Sequence, residues 1–446
     1  MTAPGNRMSL LSGARPLPVW WEGREPAPVS DPVAGTVRAD LVIVGAGLTG
    51  LWAAVHAAEE HPGRRIVLLE GQHVGAGASG RNGGFVFGGF SRGEERLLAE
   101  LGPVRARALY AGTTDAVELI RSRIDRYGIE CERCDAGVLW ANWFSDPEVL
   151  RARQRLLSQY FGVEWKWVGR EALRAQLHTD RYTGALFEPR AFHFHPLKYL
   201  QGIARTAAGL GVRVHEDSPA TALRRDGNGW RVDTPGGSVH ARRVVLACGG
   251  YLAGLRGKVD AGVLPIATYA MATEPLGASL PSVMSTRAAV YDTRFAFDYY
   301  RPMADTRLLW GGRISIRDRD PEAVARLLRA DLRKVYPQLH GIRIDHAWSG
   351  LMSYARHEMP QVGQVEDNLW LAQAFGGHGV APTTFAGELL AAAIAEGDTR
   401  WRELSVYGLV SALKPAGFAA AQLRYWWLQS RDAWKDTRER MTARPR

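Results

Sequence analysis

The stretch LVIVGAGLTG, residues 41–50, decides the fold of this chain of 446 residues. Its first four residues are an unbroken apolar run, which is typical of a parallel strand buried on both faces. Apolar residues then recur at helical spacing from Leu48 to Val55, and Pro62-Gly63 ends that helix. The segment RIVLLE, residues 65–70, predicts a second buried strand. A strand, a helix and a strand in this order predict a doubly wound unit, the fold that binds dinucleotides.

The glycines of the first turn have the spacing of a dinucleotide-binding fingerprint. In the pattern Gly-x-Gly-x-x-Gly, Gly45 permits the tight turn, Gly47 lets the backbone approach a pyrophosphate, and Gly50 lets helix and strand pack closely. The helix that follows offers free N–H groups and a positive dipole end to the phosphates. Glu70 ends the second strand, where a carboxylate takes the ribose hydroxyls and repels the 2′-phosphate of NADP. A glycine turn that only connects the two elements is the alternative interpretation.

A second glycine cluster, GAGASGRNGG at residues 75–84, distinguishes FAD from NAD. An NAD-binding unit has no need of such a loop directly after the second strand, whereas a flavin does. Ser79, Arg81 and Asn82 offer donors to the anionic oxygens of the pyrophosphate. The chain has one convincing fingerprint, because the glycines of residues 249–254 have a different spacing. An enzyme that uses both FAD and NAD(P)H normally has two, so we predict FAD alone.

Composition excludes several other classes of protein. The 46% of hydrophobic residues excludes a disordered chain, and the length predicts two or three globular units. The three cysteines exclude a disulfide scaffold, and Cys131-x-x-Cys134 lacks the second pair of a metal site, so we expect no metal. No apolar run is long enough for a transmembrane helix, and residues 1–15 lack a signal core, so we expect a cytoplasmic protein. The net charge of +10 comes mainly from dispersed arginine, so we expect no nucleic-acid partner.

The rest of the chain predicts a second domain interleaved with the first. Residues 263–273 and 290–313 alternate in polarity, as antiparallel strands do. We therefore predict an α/β fold, α+β overall, in which an FAD-binding Rossmann-like domain is interleaved with an antiparallel-sheet substrate domain. The predicted parts are an N-terminal arm at 1–38, the FAD-binding domain at 39–96, 186–255 and 344–400, the substrate domain at 97–185 and 256–343, and a C-terminal helical extension at 401–446.

Two further segments predict long helices. One runs from Pro103 to Tyr127. The other, Leu423 to Trp434, is rich in tryptophan, but its Arg and Asp residues favour a helix lying across the protein over one that seeks a membrane.

Seven motifs, in this order, resemble one superfamily of flavoenzymes. They lie at residues 40–50, 77–84, 195–199, 244–251, 272–276, 348–350 and 375–379. With them the chain resembles the D-amino-acid-oxidase-like superfamily of FAD-dependent oxidoreductases over residues 38–400. The nearest branch is that of the bacterial γ-glutamylputrescine oxidases. The set is specific for the superfamily and much less specific for the substrate.

The resemblance implies which residues hold FAD. They are Gly45, Ala46, Gly47, Leu48, Thr49 and Gly50 at the phosphates, Glu70 at the adenosine ribose, Gly77, Ala78, Ser79, Arg81, Asn82, Gly83 and Gly84 by the pyrophosphate and flavin, Ala220, Ala247, Cys248 and Gly249 on the adenosine side, and Gly377, His378, Gly379 and Val380 beside the isoalloxazine. Some members attach the flavin through a cysteine after the Trp-x-Gly motif. Residues 351–354 contain no cysteine, so we expect non-covalent FAD.

The chemistry that the resemblance implies is oxidation of a primary or secondary amine, either an amino acid or another carboxylate-bearing amine. A neutral amine transfers a hydride to flavin N5, water hydrolyses the imine, and oxygen takes the electrons to give hydrogen peroxide. We predict His378 beside the flavin, Arg301 as a clamp for a substrate carboxylate, and Tyr300 as a wall of the pocket. In the alternative interpretation, the aromatic residues of this strand lie in the core and Arg301 lies in solvent. His195-Pro196 is interpreted as the start of a helix, and a catalytic base is the alternative interpretation of His195.

Three other functions stay open at this point. The first is a dehydrogenase that passes electrons to a quinone or a carrier protein. The second is an enzyme of the same fold that acts on a biosynthetic intermediate. The third is a flavin-binding protein without turnover, against which the two intact glycine loops argue.

Overall fold

The computed structural model describes residues 17–23 and 28–442, and this part of the chain forms eighteen strands and eleven helices. The strands are β1 (Gly35–Val44), β2 (Ile66–Leu69), β3 (Phe85–Val86), β4 (Val138–Ala141), β5 (Lys166–Gly169), β6 (Gly184–Glu188), β7 (Phe192–His193), β8 (Arg213–His215), β9 (Ala222–Asp226), β10 (Gly229–Thr234), β11 (Gly237–Leu246), β12 (Leu264–Thr273), β13 (Ala289–Asp292), β14 (Asp298–Pro302), β15 (Leu308–Ser315), β16 (Ile344–Tyr354), β17 (Gln361–Glu366) and β18 (Leu369–Gln373). The helices are α1 (Leu48–Glu60), α2 (Glu94–Arg126), α3 (Glu148–Leu156), α4 (Arg170–Leu177), α5 (Pro196–Gly209), α6 (Gly257–Asp260), α7 (Leu280–Val283), α8 (Pro321–Val335), α9 (Val380–Glu396), α10 (Trp401–Leu404) and α11 (Ala416–Thr442).

β1 lies in the middle of the first sheet, whose strand order is β17-β18-β11-β1-β2-β8. It pairs in parallel with β2 and β11, and β8 and β18 extend the parallel part on either side. Leu41 and Ile43 belong to the core formed with α1, α5 and α9, whereas Val42 and Val44 belong to the core on the other face. The apolar run is therefore buried on both faces, which confirms the doubly wound unit predicted from the sequence.

The second sheet has the order β16-β12-β15-β14-β13-β4-β6-β5. Its neighbouring strands are antiparallel except β13 and β4. Helix α8 covers one face and shares a core with Trp310 of β15 through Val324, Leu328 and Leu332. Strands at the predicted positions form this sheet, so the mixed architecture is confirmed.

Strands β6 and β16 mark where the chain passes between the two sheets. β16 pairs with β12 from Leu264 to Thr273 and so lies in the second sheet, although the predicted division put residues 344–400 in the FAD-binding domain. β6 likewise lies in the second sheet and extends beyond residue 185, where the predicted substrate segment ends. Pairing between distant strands decides this division, and the local apolar pattern does not encode such pairing.

Helix α2 starts at Glu94 and not at Pro103, where the sequence predicts its start. Gly102 interrupts the helix with a φ of 73°, a conformation that favours glycine. Pro103 then begins the second part, because proline suits the first turn of a helix. The sequence therefore predicts the second part and misses the first, whose Glu94 faces the cavity described below.

β1 begins at Gly35, so the last four residues of the predicted N-terminal arm (1–38) pair with β11 in the first sheet. Nearer the N-terminus, Trp20 contacts the glycine-rich loop. The side chain of Trp20 is 1% exposed, and its Nε1 donates to the Asn82 carbonyl oxygen at 3.1 Å. Residues 1–16 and 24–27 of this arm lie outside the described residues.

Helix α11 lies across the second sheet, as the sequence predicts for the tryptophan-rich segment. The backbone N–H of Ile316 donates to Gln422 Oε1 at 3.1 Å, and that of Ile314 donates to the Tyr425 hydroxyl at 3.3 Å. None of the helices in the described ranges combines the length and apolarity needed to cross a membrane.

Candidate active site

A cavity of about 1630 Å³ lies between the two sheets. It begins where β1, β2 and β11 end, at Val44, Leu69 and Ala247, and extends to Tyr299 of the second sheet. Tyr425 of α11 lines its far end. Ligands of doubly wound sheets bind at the carboxyl ends of the strands, so the cavity stands where a dinucleotide is expected.

Bare backbone forms the floor of the cavity at the first turn. A Cβ at Gly50 would lie 2.0 Å from the Gly45 carbonyl oxygen, and Gly45 has a φ of +107°. A Cβ at Gly47 would lie 2.8 Å from Ser79 Oγ, which accepts a hydrogen bond from the Leu48 N–H at 3.0 Å. Ser79 takes up the N–H of Leu48, the first residue of α1, and the positive end of the α1 dipole still faces the cavity, where a pyrophosphate is expected.

Glu70 lines the cavity next to this turn and orders it. Its Oε2 accepts from the Ala46 N–H at 2.9 Å, and its Oε1 accepts from the Gln72 N–H at 3.1 Å. Burial raises the pKa of Glu70. Each carboxylate oxygen has a second lone pair for a ribose hydroxyl, so the residue fits the predicted role. Ala220 and Cys248 line the same end of the cavity.

The glycine-rich loop of residues 75–84 is braced by two of its own polar side chains. Arg81 donates from Nε to the Ala76 oxygen at 2.7 Å and from Nη1 to the Ser349 oxygen at 3.1 Å. Asn82 donates from Nδ2 to the Ser79 oxygen at 2.7 Å. Both residues line the cavity, and these bonds hold the loop against it.

His378 lies on the opposite wall, in the turn before α9. Burial lowers the pKa of this imidazole to about 4, so it is neutral at neutral pH. Its ring meets that of Phe87 edge-on, with 5.1 Å between the centroids. Gly379 and Val380 also line the cavity, so the positive end of the α9 dipole points into it.

Most of the predicted cofactor residues line this one cavity. Those that do are Gly45, Ala46, Gly47, Leu48, Thr49, Glu70, Gly77, Ala78, Ser79, Arg81, Asn82, Gly83, Ala220, Ala247, Cys248, Gly249, Gly377, His378, Gly379 and Val380. Gly50 and Gly84 lie behind the lining, where each permits close backbone packing: a Cβ at Gly84 would lie 2.0 Å from the Phe194 oxygen.

Tyr300 and Arg301 lie outside the cavity, although the sequence analysis expects them at the substrate. Tyr300 stacks on Trp310 in the core, with 4.4 Å between the rings. Arg301 is 4% exposed and donates to the carbonyl oxygens of Gly83 at 2.8 Å and Phe194 at 2.7 Å. Side chains alternate along a strand, so it is the neighbouring tyrosine, at position 299, that faces the cavity.

His195 also lies outside the lining. Its Nδ1 accepts from the Lys198 N–H at 3.1 Å, which caps α5 and confirms its interpretation as a helix start.

The cavity contains a ring-lined chamber that is not predicted from the sequence. Its walls include Phe87, Trp140, Tyr291 and Tyr299, and Arg153 of α3 reaches into it. The alternation of β14 shows only that Tyr299 and Tyr300 lie on opposite faces, and strand pairing decides which of them meets the cavity. Arg153 has no comparable signal, because an arginine on an amphipathic helix is ordinarily a solvated side chain.

The fit of this cavity to FAD rests on its two ends. Bare backbone and Glu70 receive the phosphates and ribose at one end, and the glycine turn at His378 leaves room for a ring system at the other.

The fold and the site thus define a flavoprotein oxidoreductase. A family model described as FAD dependent oxidoreductase (DAO) matches residues 40–393, and the chain belongs to that family. FAD is its cofactor, as predicted.

Two curated relatives are similar over most of the chain. Gamma-glutamylputrescine oxidoreductase of Escherichia coli (strain K12) is 34% identical over 363 residues, which cover 81% of this chain and 84% of that protein. The probable oxidoreductase OrdL of Haemophilus influenzae is 31% identical over 375 residues, which cover 83% and 86%. The predicted resemblance is thereby confirmed.

Solved structures share the fold. Glycine oxidase from Geobacillus kaustophilus superposes with a TM-score of 0.70 at 21% identity, over 84% of this chain and 99% of that one. L-proline dehydrogenase from P. horikoshii superposes with a TM-score of 0.69 at 19% identity, over 84% and 97%.

Substitution of Glu70 is expected to weaken FAD binding in the order Glu, Gln, Ala. Glutamine retains one acceptor oxygen, whereas alanine removes both and also leaves the N–H groups of Ala46 and Gln72 without their acceptor. Charge-assisted hydrogen bonds contribute roughly 1.5–3 kcal/mol each, so we expect an affinity about tenfold or more lower for Glu70→Ala. Fluorescence titration of the apoprotein measures the series, with Glu60→Ala at the exposed end of α1 as control. Equal affinities would show that Glu70 does not contact the cofactor.

Proposed function

We propose that this chain oxidises a primary or secondary amine that also bears a carboxylate, with FAD as the electron acceptor. One observation supports it: a continuous wall of rings lines the cavity from His378 to Arg153. The centroid distances are 5.1 Å from His378 to Phe87, 5.7 Å from Phe87 to Tyr291 and 6.3 Å from Tyr291 to Trp140. The Arg153 guanidinium lies 4.7 Å from the Trp140 ring.

The ring wall favours the neutral form of a bound amine. Once the amine has lost its water between the rings, its charged form is disfavoured and its pKa falls. Neutral nitrogen has the lone pair that assists removal of a hydride from the adjacent carbon.

His378 suits the amine end of this wall. Because its pKa is about 4, the ring is neutral at neutral pH and adds no charge beside the substrate. A neutral imidazole holds one N–H of the substrate by a hydrogen bond without protonating the nitrogen.

Arg153 suits the carboxylate end. Its Nη2 binds both oxygens of Glu94, at 3.0 and 3.1 Å. Arg153 lines the cavity, and Glu94 occupies one nitrogen of its planar fork. A guanidinium has five donors, so the donors that Glu94 does not take are suited to a substrate carboxylate. In this proposal Arg153 takes the role that the sequence analysis gives to Arg301.

Bound FAD supplies the two-electron acceptor for the substrate C–H bond. The chain binds the carboxylate, keeps the amine neutral and excludes water along the ring wall. The N-terminal end of α9, which lines the cavity at Val380, stabilises negative charge that develops near it.

Anaerobic bleaching of the flavin tests the proposal. The holoenzyme is mixed without oxygen with a panel of amines matched in length, with and without a terminal carboxylate. We expect the carboxylate-bearing members to bleach the flavin at lower concentrations. If dithionite bleaches the flavin and no amine does, the chain is a flavin-binding protein without amine turnover.

For the electron acceptor we propose oxygen. A reduced sample returned to air is expected to form one hydrogen peroxide per flavin within the turnover time. If the flavin is reoxidised slowly in air but rapidly after addition of a quinone, the result would favour the dehydrogenase.

The flavin is expected to be released by acid. Of the three cysteines, Cys248 lines the cavity, and burial raises the pKa of its thiol to about 12, so it is not a thiolate at neutral pH. Precipitation of the yellow protein should leave FAD in the supernatant, measured by its absorbance. Flavin that stays with the pellet after washing would contradict non-covalent binding.

A further inference from the structure

Helix α11 presents a stripe of large apolar side chains to solvent. Leu423, Trp427, Trp434 and Met441 recur at intervals of four, seven and seven residues, which places them on one face of the helix. Their exposed fractions are 62%, 64%, 64% and 72%, and that of the adjacent Trp426 is 56%. Isolated exposed apolar residues are ordinary, but a stripe with three tryptophans marks a contact surface.

The acidic residues of α11 all face the protein. Asp432 accepts a hydrogen bond from the Phe295 N–H at 2.7 Å. Asp436 forms an ion pair with Arg181 and accepts a hydrogen bond from Trp143 Nε1. Glu439 accepts the N–H of the residue at position 145 at 2.8 Å. The carboxylates therefore hold the helix in place, and none of them lies on the tryptophan stripe.

Basic residues flank the same stripe. Arg431 lies 5.8 Å from the Trp427 ring, and Arg438 lies 5.4 Å from the Trp434 ring. From residue 416 to the end, the sequence contains seven Lys and Arg against three Asp and Glu. Arg424 pairs with Glu358, and Lys435 lies over the Phe144 ring. In the described part of α11, the positive charge beside the stripe therefore comes from Arg431, which also pairs with Asp432, and from Arg438.

The mouth of the cavity opens on the same side. Phe295, Ile316, Leu413 and Trp427 line the cavity and are also 37%, 36%, 54% and 64% exposed. The apolar stripe of α11 is thus continuous with the rim of the cavity through Trp427.

We propose that this surface, the α11 stripe with the cavity rim, docks on an anionic phospholipid bilayer. Amphipathic helices with Trp and Leu on one face and basic flanks lie in the headgroup region of such membranes. A second copy of the chain is a poorer partner, because a symmetric contact would bring two cationic faces together in a protein of net charge +10. Docking turns the cavity mouth towards the lipid. This proposal does not depend on the amine substrate.

Vesicle flotation of the full-length holoenzyme tests the docking. One set of vesicles contains equimolar phosphatidylglycerol and phosphatidylcholine, and the other contains phosphatidylcholine alone. We expect co-flotation with the anionic set, reduced by high salt, and little with the neutral set. Absence of co-flotation with the anionic set would overturn the proposal.

The double variant Trp426→Gln and Trp434→Gln tests the surface, because neither residue lines the cavity. We expect its partition into anionic vesicles to fall roughly tenfold or more, since two rings no longer leave water. Val104→Gln is the matched control, as Val104 is 82% exposed elsewhere. Flavin content and bleaching by amines should stay unchanged in both variants, which separates this test from that of the proposed function. The proposal would be overturned if the double variant floated as well as the wild type. It would also be overturned if the wild type formed a dimer that did not bind vesicles and that the double substitution dissociated.

Discussion

Replacement of Gly47 by valine is expected to abolish stoichiometric FAD binding while the apoprotein still folds. The φ of Gly47 is −84°, which valine adopts readily, so the effect comes from space alone. Its Cβ would lie 2.8 Å from Ser79 Oγ, and its methyl groups would occupy the bare floor in front of α1. Overpacking costs about 1–3 kcal/mol, and lost phosphate contacts add to it, so affinity should fall by about a hundredfold or more.

The absorbance ratio of bound flavin to protein measures this loss, and circular dichroism checks the fold. Gly341→Val is the matched control, because its Cβ would have no heavy atom within 4 Å and its φ is not in the left-handed region. Gly47→Ala is expected to be intermediate, since Ser79 can rotate only by losing its hydrogen bond from Leu48. Full flavin content in Gly47→Val would show that the pyrophosphate does not cross this turn.

Replacement of Arg153 by methionine is expected to raise the KM for a carboxylate-bearing amine roughly 10- to 100-fold, with little change in kcat. A charge-assisted hydrogen bond contributes about 1.5–3 kcal/mol, and methionine keeps most of the side-chain length. An amine of the same length without the carboxylate should show little change in KM. Arg153→Lys should lie between the two proteins, because lysine keeps the charge and loses the planar fork.

Arg151 of the same helix supplies the control for this prediction. Its guanidinium stacks 3.6 Å from the Trp167 ring, and it does not line the cavity. Arg151→Met should therefore leave both KM values unchanged. If both KM values rise equally in Arg153→Met, Arg153 maintains the shape of the pocket and does not bind the carboxylate. If both KM values are unchanged, Arg153 does not contact the substrate.

The dinucleotide end of the site is predictable from sequence because its signals are local. The apolar run of residues 41–44, the spacing of Gly45, Gly47 and Gly50, and the position of Glu70 all follow from one strand–turn–helix–strand unit. In the structure Gly45, Gly47 and Glu70 line one cavity, and Gly50 lies behind its lining, where a Cβ would meet the Gly45 oxygen.

The substrate end is not predictable in the same way. Tyr299 and Tyr300 are neighbours of equal character, and the pairing of β14 with β13 and β15 decides which of them meets the cavity. Arg153, Trp140 and Tyr291 come from three separate segments, and only packing brings them together. No sequence pattern within any one of these segments predicts that the three side chains lie close together.

The sequence by itself therefore determined the doubly wound unit and the cofactor, because repeating apolar and glycine spacings are properties of neighbouring residues, and the resemblance of seven motifs indicated the family. The tertiary structure alone decided that β16 joins the second sheet, that Arg301 lies behind the cavity lining on Gly83, and that α11 turns its acids inward and its tryptophans outward. Each of these depends on hydrogen bonds between residues far apart in the chain, whose free energy is gained only when the segments meet.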